Sequence, residues 1–425
     1  MTPDAGRGGV PGLIDHLFRQ QAGRLVSLVA AALGPRHLDL AEEVVQDALV
    51  AALHTWPHRG VPDNPPAWLL QVARNRALDA IRRRRFQDED ETALATAVAV
   101  TLAPSLEADG GMDAELAMLF MTCHPAVPPA SRLALTLKVA CGLSVAEVAR
   151  ALLVEDTAIA QRIVRAKRQI RDENLPLALP SPAELDERLP SVLEALYLLF
   201  NEGYAATDGD SLVRDELCFE ALRLSRLLAA HRHAGRAEAH ALTALMLFQA
   251  ARLPARVGHA GELHVLEQQD RRLWEWPLVH EAFRELDAAS TGDRLTPYHV
   301  QAAIAAVHAS APTFADTDWA RIVELYDELM AIAPTPIVAL NRAVAVGLCR
   351  GPAAGLAAIA PLEDEAPLAR YHLLYSAQAR FFDDLGDADA AASFYARALE
   401  CRTSAPERRF LEKARLRLRL GGRQC

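Results

Sequence analysis

Apolar positions along this chain recur at spacings of three and four, and the strict alternation of a half-buried strand is scarce. In "LDLAEEVVQDALVAAL", Leu40, Val44, Ala48 and Ala51 form one stripe, with Glu42, Glu43 and Asp47 off it. "HTWPHRGVPDNPPAW" interrupts the pattern with four prolines and a glycine and reads as a loop. The helical period resumes in "WLLQVARNRALDAIRRRR", where Leu70, Ala73, Ala77 and Ile81 share an inward face. "QDEDETALATAVAVTLAPSLEADGG" is acidic from Asp88 to Glu91, then small and weakly apolar, and reads as a linker. A second helical unit follows. "LPLALPSPAELDERLP", with four prolines, marks another boundary, and helical periodicity continues to the end. The pattern predicts an all-α chain: helical units over 12–86 and 112–175 joined by a linker over 87–111, a proline-rich link over 176–190, and a helical-repeat domain over 191–425.

Within the second unit, "GLSVAEVARALLVEDTAIAQRIVRAKRQIR" has the form of a helix-turn-helix. Ser144 and Glu147 form a capping box that starts one helix. A short turn leads to a second helix with a buried stripe of Ile159, Ile163, Ala166 and Ile170. In the last part, Gly351 and Gly386 correspond in two segments that align 35 residues apart. Ala379, Ala391 and Ala398 stand where helices of such hairpins would touch, beside Phe382 and Tyr395. This resembles tetratricopeptide repeats. Leu356 departs from the repeat pattern by its size.

Charge changes this picture locally. The net charge is −10, yet Arg74, Arg76, Arg82, Arg83, Arg84 and Arg85 crowd one stretch against a single acid, Asp79. The second helix of the helix-turn-helix carries Arg162, Arg165, Lys167, Arg168 and Arg171 with no acid between Thr157 and Arg171. One basic helix alone fits a solvated face as well as a nucleic-acid contact. Two such helices, each in its own helical unit, favour the contact.

The six cysteines are scattered without a CxxC pair, which fits free thiols in a reducing cytosol. The N-terminal "MTPDAGRGGVPG" lacks the basic start and apolar core of a signal peptide, and no apolar run is long enough to span a bilayer. A cytoplasmic protein with no membrane partner is expected. Cys123, His124 and Cys141 make a poor zinc pattern, and "ATDGDSLVRDE" lacks the glycine and terminal glutamate of a calcium loop. The phosphate-loop and nucleophile-elbow motifs are absent, and His231, His233, His259 and His264 show no catalytic pairing. Neither a metal, a cofactor nor a catalytic residue is expected, and the protein is read as a non-enzyme.

The order of these parts resembles the extracytoplasmic-function sigma factors of bacteria, the short class with regions 2 and 4. "LAEEVVQDALVAALHTW" is similar to region 2.2, which grips the clamp helices of the polymerase beta-prime subunit. The resemblance implies polymerase contacts from Glu43, Gln46, Asp47 and Leu49. "WLLQVARNRALDAIRRRR" is similar to regions 2.3 and 2.4, which open and read the promoter minus-10 element. Trp68, Arg74, Asn75, Arg76, Arg82, Arg83, Arg84 and Arg85 are the expected contacts. Trp68 fits a stacking platform for an exposed base and, equally, a core tryptophan closing its helix on the proline loop. The helix-turn-helix is similar to region 4.2, which reads the minus-35 element. Thr157, Gln161, Arg162 and Arg165 lie toward the start of its second helix, where base edges are met, while Lys167, Arg168 and Arg171 lie further along, where phosphate is met.

"LYLLFNEGYAATDGDSLVRDELCFEALRLSRLL" further resembles the subgroup usually called group 42, whose long C-terminal extension carries tetratricopeptide-like repeats. In "FNEGY", Gly203 reads as a helix stop and Glu202 as an exposed acid. Asn201, Glu202, Gly203 and Tyr204 form a candidate interaction point. The partners implied are core RNA polymerase, through the beta-prime clamp helices and the beta flap, and double- and single-stranded promoter DNA. A soluble regulatory protein on the C-terminal domain is the further partner expected. Two rivals stand beside this reading: a DNA-binding transcription regulator, and a ligand-sensing protein that does not join core polymerase.

Overall fold

A computed structural model describes residues 10–84, 91–102, 110–152, 154–204, 214–258 and 262–421. Among these there are twenty α-helices and no strand, the one β-type pairing being an isolated bridge between Val257 and Leu263. The chain divides into two compact units, Met1–Leu199 and Phe200–Cys425.

The first unit contains α1 (Val10–Leu33), α2 (Leu38–Arg59), α3 (Pro65–Arg84), α4 (Glu91–Thr101), α5 (Gly110–Thr122), α6 (Pro129–Val139), α7 (Val145–Leu152), α8 (Asp156–Asp172) and most of α9 (Pro182–Tyr204). The periodic stripes face inward: Leu40, Val44 and Ala48 of α2 are buried, as are Leu70, Ala73, Ala77 and Ile81 of α3. The loop expected around Trp56 is shorter than its composition implies. Helix α2 runs through Pro57 and ends at Gly60, whose φ of 83° suits glycine alone among common residues. Trp56 is 2% exposed, so its burial draws the last turn of α2 into the core. Asn64 then accepts from the Ala67 N–H, a cap on α3, whose first residue is a proline. The stretch read as a linker contains α4, which is alanine-rich and buries Val98, with Leu102 buried just beyond it. Helix α5 is buried on every side from Ala114 to Thr122.

The second unit continues with α10 (Asp215–Ala230), α11 (Ala237–Ala250), α12 (Leu253–Arg256), α13 (Trp276–Ala289), α14 (Pro297–Ser310), α15 (Trp319–Ile332), α16 (Pro336–Arg350), α17 (Pro352–Ile359), α18 (His372–Asp384), α19 (Ala388–Glu400) and α20 (Ala405–Gly421). Gly351 joins α16 to α17 and Gly386 joins α18 to α19, with φ of 98° and 82°. The two glycines aligned in the sequence thus occupy equivalent hairpin turns. Ala379, Ala391 and Ala398 are fully buried where α18 and α19 pack, and Phe381 fills the space left by Gly347 and Gly355. No described helix is long and apolar enough to cross a membrane.

Candidate polymerase and nucleic-acid interface

On α2 the exposed face comprises Glu43, Gln46, Asp47, Val50 and Leu53, at helical spacings of three and four. Val50 and Leu53 are 51% and 44% exposed, a high value for aliphatic side chains. They give this acidic face an apolar centre that the resemblance alone did not identify. Leu49, expected on the polymerase side, is 2% exposed instead. It belongs with Val45, Ala52 and Trp56 to the buried side of the helix, a stripe the period already contained.

Helix α3 presents Gln71, Asn75, Arg76, Arg82 and Arg83 to solvent. Asn75 accepts from Gln71 Nε2 at 3.1 Å, and Arg82 is only loosely paired with Asp79, at 3.9 Å. Arg74 departs from the expected set. Its Nη2 donates to the carbonyl of Ala99 at 3.1 Å, in the last turn of α4, where unsatisfied carbonyls concentrate negative potential. Trp68 is half-buried and packs edge-on against Trp56 with ring centroids 5.5 Å apart, which supports the core role. The Arg84 side chain and Arg85 lie outside the described residues, as do the carboxylates of the acidic run 88–91.

The helix-turn-helix forms as α7 and α8. Both capping-box bonds are present: Ser144 N–H donates to Glu147 Oε2 at 2.8 Å, and Glu147 N–H donates to Ser144 Oγ at 3.2 Å. Ile159, Ile163, Ala166 and Ile170 are buried. Thr157, Gln161, Arg165, Arg168 and Arg171 are exposed, and Arg162 is half-buried.

Lys167 is tied down. Its ammonium donates to Asp39 at 2.8 Å and to Glu42, so a residue assigned to phosphate is held by two carboxylates of α2. Its side chain is 17% exposed and that of Glu42 13%. Burial opposes the Lys167 charge, but Glu42, then Asp39, keep its pKa above the ordinary lysine value. Other contacts join the same halves of this unit. Arg36 Nε donates to Asn174 Oδ1 at 2.8 Å, and Arg24 pairs with the buried Glu115 at 3.6 Å. At Gly23, a Cβ would stand 2.3 Å from the Ala140 carbonyl oxygen, so α1 and the end of α6 meet backbone to backbone.

In the second unit, "FNEGY" closes α9. Glu202, expected as an exposed acid, is 3% exposed and pairs with Arg214 at 3.2 Å. Gly203 is a contact rather than a stop. The helix continues through it, and a Cβ there would come within 2.7 Å of the Cys218 backbone nitrogen. Asn201 and Tyr204 are half-buried, and Tyr204 stacks on Phe200 with centroids 5.8 Å apart.

Residues 17–87 match sigma-70 region 2, and residues 117–170 match sigma-70 region 4. These spans coincide with the acidic α2 face, the basic α3 face and the capped helix-turn-helix. The chain carries sigma-70 region 2 and region 4 domains. Its C-terminal part adds a family of unknown function, DUF6596, over residues 188–290. An uncharacterized protein of Rhizobium meliloti (strain 1021) is 40% identical over 384 residues, covering 88% of this chain and 89% of its own length. No solved structure matches. Sigma-70 regions 2 and 4 belong to a non-enzymatic family that acts in transcription initiation, and they imply binding to core RNA polymerase and promoter DNA.

Proposed function

We propose that this protein is a sigma factor of the extracytoplasmic-function type, in the group-42 manner. It acts in the cytosol and directs core polymerase to one promoter class through a minus-10 and a minus-35 element. The observation that carries this is the division of α8, with an isoleucine stripe buried behind a capped turn and an open face of Thr157, Gln161, Arg165, Arg168 and Arg171. Such a helix enters a major groove by its first turns and meets phosphate by its later ones. On α3, Asn75 and Arg76 would meet the minus-10 strand, with Arg82 and Arg83 neutralising phosphate.

On α2, Glu43, Gln46 and Asp47 around Val50 and Leu53 form the beta-prime docking face. This argues against a regulator that works without polymerase, for which such a face has no use. The C-terminal hairpins are tetratricopeptide-like and offer a surface for a regulatory protein. In vitro transcription with core polymerase and mapping of start sites tests the reading. A shared promoter motif upstream of the starts is expected, and Asp47→Arg should abolish co-elution with core enzyme. Failure of the wild-type chain to join core polymerase would overturn it.

A further inference from the structure

Among the described residues, the second unit gathers positive charge that no carboxylate pairs with directly, Asp316 acting on Arg271 only at longer range. Arg252 at the start of α12, Arg256 at its end and Arg271 just after residue 270 surround two aromatic rings. Arg252 and Arg271 lie over Trp274, 5.8 and 4.8 Å from its ring centroid, and Arg256 lies over Tyr204 at 3.7 Å. Their hydrogen bonds go to neutral oxygens. Arg252 donates to Gln269 and Gln249, each at 3.1 Å, and Arg271 Nη1 donates to the His308 carbonyl at 2.6 Å. Among the described residues the Arg256 side chain makes no hydrogen bond, and none of the three arginines forms an ion pair.

Arg252 lies within electrostatic range of both Arg256 and Arg271. Burial lowers the Arg252 pKa, with Tyr204 opposing and Arg256 adding to the effect, and burial lowers that of Arg271, with Arg252 adding and Asp316 opposing. Burial and then Arg252 and Arg271 push His308 down to about 4, so this imidazole is neutral at pH 7. Donors are also in surplus. Arg256 Nε, Arg271 Nη2 and Trp274 Nε1 are buried without an acceptor, and arginine and tryptophan side chains have only donors to offer. Buried guanidiniums normally meet carboxylate or phosphate, whose oxygens supply both the missing charge and the missing acceptors.

We propose that Arg252, Arg256 and Arg271, with Tyr204 and Trp274, form a binding site for an oxyanion, the carboxylate or phosphate group of a small ligand. This would give the C-terminal extension a ligand to respond to, and it accounts for Tyr204 in the "FNEGY" block as the platform under Arg256. The inference is independent of the promoter reading, since it concerns the second unit alone.

The test uses the full chain and three probes at equal ionic strength: potassium phosphate, potassium citrate and potassium chloride. Isothermal titration and thermal melting should reveal saturable binding of phosphate or citrate, with a rise in Tm that chloride does not reproduce. Saturation by phosphate alone identifies a phosphate site, by citrate alone a carboxylate site, and by both a general oxyanion site. Arg256→Gln should weaken binding at least tenfold. It removes a guanidinium that makes no hydrogen bond to the protein, so it should fold even where Arg252→Gln does not. Arg272→Gln, at an exposed arginine paired with Asp270, should bind as the wild type does. The proposal is overturned by the absence of saturable binding of either oxyanion, or by an Arg256→Gln variant that binds as tightly as the parent.

Discussion

Substituting Glu42 by glutamine separates two jobs that Lys167 cannot do at once. Glu42 is the better-buried partner of Lys167, whereas Asp39 is 68% exposed. An exposed pair contributes below about 1 kcal/mol, and breaking a fully buried pair costs about 3–5 kcal/mol. A pair with 17% and 13% exposure falls between these limits, so Glu42→Gln should cost about 2 kcal/mol of stability. For a unit of this size that lowers Tm by roughly 4–8 °C. The ammonium, then held by Asp39 alone, becomes more available to phosphate. Because free protein must now break a bond before Lys167 reaches DNA, removing the bond should tighten binding of minus-35 duplex by up to about thirtyfold. The assay is fluorescence anisotropy with duplex DNA at fixed salt and no polymerase, alongside urea denaturation of the same variant. Lys167→Met should lose both the stability and the DNA contact. A destabilised Glu42→Gln variant with unchanged DNA affinity would refute the assignment of Lys167 to DNA. Unchanged stability would refute the pairing itself.

Arg162→Ala should cost about 1–3 kcal/mol of promoter binding and relax one minus-35 position, whereas Arg168→Ala should weaken all sequences alike and reduce the salt slope. Selection from randomised duplexes distinguishes them, and equal, sequence-independent losses would leave Arg162 as a phosphate contact. Gly203→Ala forces a Cβ against the Cys218 backbone nitrogen and should destabilise the second unit by about 1–3 kcal/mol in a urea melt. Glu407 is held down at about 2: burial works to raise its pKa, but His372, 3.5 Å away, and Ser404 outweigh it. A depressed carboxylate stabilises the fold above its unfolded pKa of about 4.3, and that contribution is lost as pH falls toward 2. Glu407→Gln should therefore melt about 2 kcal/mol less stably at pH 6 and converge with the parent by pH 2, as scanning calorimetry across that range would record.

Periodicity revealed which side of each helix turns inward, and less about what that side meets. The stripes of α3 and α8 were legible because burial repeats every three or four residues, and Ser144 with Glu147 marked the start of α7 through local bonds alone. Leu49 was also legible, since Val45, Ala52 and Trp56 share its spacing, but similarity to a polymerase-binding helix outweighed the period. The fates of Arg74, Lys167 and Glu202 were not. Each is decided by a partner beyond its own helix, and Asp39 stands 128 residues from Lys167. Proline content misplaced the end of α2, because a proline in the last turn forfeits a bond that burial of Trp56 outweighs. The half-buried arginines of the second unit carry no local mark: "ARLPAR" and "QQDRRLW" are ordinary in charge, and only their convergence makes them unusual.

The contact between α8 and α2 also sets a length. A compact body of 199 residues has a radius of gyration near 16 Å and measures about 40 Å across. Elements centred ten and thirty-five positions upstream are about 25 base pairs apart, or about 85 Å along B-form DNA. If α8 meets the minus-35 element and α3 the minus-10 element, as proposed, this protein is a ruler folded in half, roughly two-fold too short for such a promoter. To read both marks it would have to straighten, and the bonds at Arg24, Arg36 and Lys167 are the ones that would have to open. Promoter spacing then becomes a gauge of that opening: a sigma factor still folded would tolerate no natural spacing, and one extended on polymerase would select a single one.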